Sequence, residues 1–95
     1  MTHELKTDPE VFQAVWDDLK TYELRKNDRN FEVGQLLKLK ETKSTGAEMK
    51  EGAPLVYTGR TVTAEVTHVL NGPIYGLAEG WCILSMYTKY FREND

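Results

Sequence analysis

The sequence predicts a small α+β domain, with one N-terminal helix and then mostly antiparallel strands curled into a closed or nearly closed β-barrel. Three observations lead there. Thr7-Asp8-Pro9-Glu10 is a helix start followed by one apolar stripe, the later segments alternate polar and apolar residues, and Gly, Asn and Pro punctuate the intervals. Ninety-five residues suffice for one modest core, so residues 1–95 are read as a single domain.

At the helix start, either Thr7 caps with Glu10 as its box partner, or Asp8 caps with Pro9 in the first turn. Val11, Phe12, Val15, Trp16 and Leu19 follow at helical spacing and predict a face packed on the sheet. Asp17 and Asp18 oppose the dipole at the helix end and are expected to be solvated. His3–Lys6 is a short opening strand. In Lys20–Phe31, Tyr22 and Leu24 alternate with Thr21, Glu23 and Arg25, so a strand here is expected to bury the first pair.

Leu37 and Leu39 alternate with Lys38 and Lys40 over Leu36–Glu41, the pattern of a half-exposed strand. The polar segment 42–54 reads as a long surface loop, and Tyr57–Arg60 as a short strand and turn. Thr61–Leu70 is the best strand, with Val62, Ala64, Val66 and Leu70 on one face and His68 on that apolar side. Asn71–Gly80, with three glycines, is a connector, and Trp81–Met86 is apolar on both faces, as a central strand would be. The charged tail, residues 89–95, is expected to fray.

Composition narrows the function classes. The hydrophobic fraction is 40% and the charged fraction 28%, as in globular proteins. No apolar run approaches membrane-spanning length and no leader-like succession opens the chain, so a cytoplasmic protein without a membrane partner is expected. The lone Cys82 fits a reducing compartment and reads as a packing residue. His3, His68 and Cys82 share no ligand spacing, so neither metal nor other cofactor is expected. A net charge of −3 argues against broad nucleic-acid affinity. Lys20–Arg29 nevertheless concentrates four basic residues against two acidic ones.

That segment is the candidate site. Lys20, Glu23, Arg25, Lys26, Asn27 and Arg29 suit an anionic or heteroaromatic ligand, since Arg offers a planar fork and Asn a donor with an acceptor. Tyr75 or Phe31 could supply a stacking face, although Phe31 reads more naturally as core. Lys20, Arg25 and Arg29 are expected on phosphate or a base edge. Glu23 would orient Arg25, and Asn27 would hold the turn or read a base. Glu23 and Arg25 are expected in a polar cleft between the helix end and the Asn71–Gly80 connector.

The opening His3-Glu4-Leu5-Lys6, the helix with Phe12 and above all Lys20-Thr21-Tyr22-Glu23-Leu24-Arg25-Lys26-Asn27-Asp28-Arg29 resemble an uncharacterised ASCH-like family of the PUA superfamily. Its members occur in bacteria and their phages. The Phe31-x-Val33-Gly34 turn and Tyr75-Gly76-Leu77-x-Glu79-Gly80 are similar too, leaving only the longer 42–54 loop uncovered. The resemblance implies a PUA-like mixed β-barrel with a cleft floored by Lys20–Arg25, and an RNA- or nucleotide-binding module without catalysis. Small ASCH enzymes that hydrolyse N4-acetylcytidine use a Lys, a Thr three residues later and a distant Glu. Here Glu23 holds that third position and Thr21 adjoins Lys20, and Asp18 and Leu19 stand where ASCH patterns carry Gly. A hydrolase of a modified nucleoside, with Lys20 and Glu23 as its proton-handling pair, is therefore the alternative. A third reading is a phage or mobile-element protein that docks a host protein through the 42–54 loop.

Overall fold

Among the described residues, five strands make one mixed sheet whose spatial order runs first, third, fourth, fifth and second along the chain, curled into a half-barrel around one helix. The computed structural model describes residues 1–94. Its elements are β1 (Thr2–Thr7), α1 (Pro9–Trp16), β2 (Tyr22–Lys26), β3 (Leu36–Thr42), α2 (Gly46–Lys50), β4 (Tyr57–Asn71) and β5 (Trp81–Asn94). The β1–β3 pair is parallel, which the α1–β2 excursion between them permits, and the other three pairs are antiparallel. The outermost strands, β1 and β2, form no ladder with each other, so the barrel is open along that seam.

The concave face holds the core. Leu5, Leu37, Leu39, Val62, Ala64, Val66, Cys82 and Leu84 project from the strands onto Phe12 and Val15 of α1, with Phe31 sealing one end. Pro9 occupies the first helical turn, where its missing N–H costs nothing. Asp8 is the N-cap residue, but its side chain does not cap the helix; its Oδ1 accepts from the Gly46 N–H at 3.0 Å, tying α1 to α2. The helix ends at Trp16, and Asp18 adopts a left-handed conformation (φ 60°). Leu19 therefore leaves the apolar stripe and lies exposed. Asp18 is not merely solvated: Arg92 Nη2 donates to its Oδ1.

The structure corrects several expectations. Segment 42–54 contains α2, built on a capping box in which Thr45 Oγ1 accepts from the Glu48 N–H and Glu48 Oε1 from the Thr45 N–H. Tyr57–Arg60 is not separate but the start of the fifteen-residue β4. The tail is paired rather than frayed, since Arg60–Thr63 matches Phe91–Asn94; Asp95 lies outside the described residues. A register shift between Val66 and His68 turns His68 outward and brings Val69 to the core in place of Leu70.

The largest correction concerns β2. Its alternation is present but inverted: Glu23 is 4% exposed, whereas Tyr22 and Leu24 are 48% and 52% exposed. Period-two patterning sets two residues on opposite faces but does not say which face looks inward. Outside, Leu24 stands opposite Ile83, which stands opposite Leu70, so an apolar row runs across the convex face and accepts Leu24. Inside, Glu23 is tolerated because two cations neutralise it.

Candidate functional site

Residues 20–31 wrap the open seam. Glu23 is the hub: Lys20 Nζ donates to Oε1 at 2.8 Å and Arg25 Nε to Oε2 at 3.0 Å, so both carboxylate oxygens are satisfied. Lys20 also bonds the Tyr22 carbonyl and sits 4.8 Å from the centre of the Tyr22 ring. Arg25 then reaches across the seam, its Nη2 donating to the Lys6 carbonyl at 2.7 Å. Arg29 Nη1 does the same to the Glu4 carbonyl at 2.9 Å. Two side chains from the β2 segment thus lace the gap that backbone pairing leaves open.

Two clefts flank this lacing. The larger, about 280 Å³, is lined by Leu24, Arg25, Lys26, Asp28, Arg29 and Trp81, with Leu5 behind them. The smaller, about 240 Å³, lies towards the start of α1 and includes Lys6, Asp8, Val11, Glu23 and Arg25. The cleft expected between the helix end and the connector is therefore displaced: it follows the seam, and no residue of Asn71–Gly80 lines either part.

The predicted residues separate by position. Arg25, Lys26 and Arg29 converge on the larger cleft. Lys20 and Glu23 stand behind Arg25 and fix it. Asn27 holds the turn: its Nδ2 donates to Asn71 Oδ1 at 2.8 Å, and its Oδ1 accepts from the Phe31 N–H at 3.1 Å. Phe31 is buried edge-on against His3, ring centres 4.9 Å apart, and belongs to the core. Tyr75, 92% exposed on the connector, lines neither cleft. His3 is likewise structural, with Nε2 2.8 Å from Gln35 Oε1.

Sequence reasoning missed Trp81 and Asp28. Trp81 reads as the first residue of a buried strand, but β2–β5 pairing sets it opposite Lys26 at the lip of the cleft. The Asn27 N–H donates to the Gly80 carbonyl and carries the pairing one step further, which brings Asp28 to the same rim. The signal was the Gly80-Trp81 step, where an aromatic follows a turn and sits at a strand end.

The larger cleft carries three cations against one carboxylate, although the chain as a whole is acidic. Cys82 sits behind it, fully buried; burial pushes its thiol pKa up, the Asp28 charge acts in the same direction and Arg25 opposes. It is not poised as a nucleophile. Among the described residues no group of three or more His, Cys, Asp or Glu side chains could hold a metal ion, and no helix is long and apolar enough to cross a membrane.

Comparison with known families adds one match: the profile described as a domain of unknown function, DUF3850, covers residues 2–86. The chain belongs to the DUF3850 family. That span includes the whole candidate site and all strands except the end of β5, so the laced seam lies inside the DUF3850 domain. No curated protein matches the chain.

Proposed function

We propose that this DUF3850 domain is an ASCH-like member of the PUA superfamily and that its seam cleft binds RNA or a nucleotide without catalysis. The half-barrel sheet with one helix across its concave side is consistent with that ancestry. The observation that carries the function is the meeting of Trp81 with Arg25, Lys26 and Arg29 in one 280 Å³ cleft. An indole face stacks on any base, and guanidinium and ammonium groups neutralise phosphate. Arg25 and Arg29 keep donors to spare: the Nη1 group of Arg25 and the Nη2 and Nε groups of Arg29 are not engaged within the described residues. Their bonds to β1 hold them in place beforehand, which lowers the entropy lost on binding.

The test is a titration of a short fluorescein-labelled single-stranded RNA and of 5′-mononucleotides at several salt concentrations. Affinity is expected to fall with a log–log slope of about 0.7 per phosphate engaged, and to be lost in Lys26→Ala/Arg29→Ala. Binding indifferent to salt and to that double change would overturn the assignment.

A second reading has one observation in its favour. Glu23 borders the smaller cleft with Lys20 Nζ at 2.8 Å, a carboxylate–ammonium pair able to handle a proton during amide hydrolysis. Incubation with N4-acetylcytidine and related acylated nucleosides, followed by chromatography, tests it. Deacylated product that disappears in Glu23→Gln would establish a hydrolase, and an unchanged panel would remove it.

A further inference from the structure

Resting on the nucleotide-binding reading, we infer that Asp28 makes the larger cleft selective for guanine. Asp28 is the sole carboxylate among the residues lining it. Arg25, Lys26 and Arg29 line the same cleft, yet none donates to Asp28: Arg25 bonds Glu23 and the Lys6 carbonyl, and Arg29 the Glu4 carbonyl. Among the described residues no donor engages the Asp28 side chain, which is exposed. An ionised carboxylate only accepts, with two oxygens side by side.

Of the four common bases, only guanine offers a matching edge, its ring N1–H and exocyclic amino group lying next to each other as two parallel donors. Adenine and cytosine each set one amino group beside a ring acceptor, and uracil sets one N–H between two carbonyls. Either arrangement turns a lone pair towards the carboxylate. At about 280 Å³ the cleft lies at the lower end of small-molecule sites, the scale of one nucleotide unit and not of a folded helix. Trp81 offers the stacking face, while Lys26 and Arg29 meet the phosphate.

Calorimetric titration at low salt with the 5′-monophosphates of guanosine, adenosine, cytidine and uridine provides the test, with 2′-deoxyguanosine 5′-monophosphate and xanthosine 5′-monophosphate alongside. The guanosine nucleotide, with or without its 2′-hydroxyl, should bind about tenfold or more tighter than the other three. Asp28→Asn should erase that margin, and the wild type should bind xanthosine, which replaces the 2-amino group by a carbonyl, as weakly as the other three bases. Asp28 is exposed, and an unchanged circular dichroism spectrum will show that the variant keeps the fold. Equal binding of all four bases in the wild type would overturn guanine selectivity while leaving nucleotide binding intact. So would a preference unaffected by Asp28→Asn, or one that follows the ribose 2′-hydroxyl. Failure of every mononucleotide to bind would overturn guanine selectivity, and failure of the labelled RNA as well would overturn the binding reading with it.

Discussion

Arg60 and Glu41 meet fork to fork: Nη2 donates to Oε2 at 2.7 Å and Nε to Oε1 at 2.9 Å. Thr58 Oγ1 adds a third bond to Oε1 at 2.6 Å, and Arg60 Nη2 also reaches Gln13 Oε1 on α1. The guanidinium lies over Phe12 and Trp16, 5.2 and 4.8 Å from their ring centres. One arginine therefore joins β4, β3 and the helix. Arg60→Ala would leave Glu41 buried without its partner and should cost on the order of 3 kcal/mol in urea unfolding. Arg60→Lys should recover part of this, because it restores charge but not the planar fork.

The same pair sets an acid response. The hydrogen bond from Arg60 holds the Glu41 carboxyl below its usual pKa; burial opposes this, and the Thr58 hydroxyl and the Arg60 charge assist. A group whose folded pKa is depressed contributes stability above its unfolded value, about 4.3, and loses it as pH falls through the folded value. The urea midpoint should therefore decline from about pH 5 downward. Glu41→Gln should be less stable at neutral pH and show a shallower decline over that window.

Leu24 and Glu23 exchange the roles their alternation suggests. Because Leu24 is half-exposed on the convex face, Leu24→Ala should cost about 1 kcal/mol or less, well below a buried leucine. Glu23→Ala removes the shared acceptor of Lys20 and Arg25 and should cost more, about 1–3 kcal/mol. Chemical denaturation of both variants ranks them directly, and the reverse ranking would place Leu24 in the core.

Gly72 has no room for a side chain. A Cβ there would lie 2.0 Å from the Ala78 carbonyl oxygen, a backbone atom that cannot swing aside. Gly72→Ala should destabilise by about 1–3 kcal/mol and broaden amide resonances along Asn71–Gly80. Tyr75→Ala, at the exposed tip of the same connector, should leave the melting temperature nearly unchanged.

Where two independent signals agreed, the sequence was legible. Pro9 with the Phe12–Val15 spacing located α1, and Leu37 and Leu39 between lysines located β3 with the correct face inward. The Lys20–Arg29 cluster does converge on a cleft through Arg25, Lys26 and Arg29. The failures have physical causes. His68 was misplaced because one residue inserted into a ladder reverses every later side chain, and nothing in Thr67-His68-Val69 announces it. β2 is inverted because Glu23 on its inner face is neutralised by Lys20 and Arg25, and Arg25 is held by the Lys6 carbonyl across the seam, none of which an apolar pattern registers. Trp81 became a site residue only through its pairing with Lys26, a contact between residues far apart in the chain.

The laced seam also governs how this molecule meets other chains. Glu4 and Lys6, two apart on β1, turn their carbonyls to the same open side, and each already accepts from an arginine. An outermost strand normally offers such acceptors to any extended segment that arrives, the first step in strand exchange and fibril growth. Here two of those acceptors are already taken by guanidinium groups, so an incoming strand meets charged side chains where it would need bare carbonyls. The two arginines of the seam cleft thus also occupy part of the edge that an unclosed barrel presents to other chains.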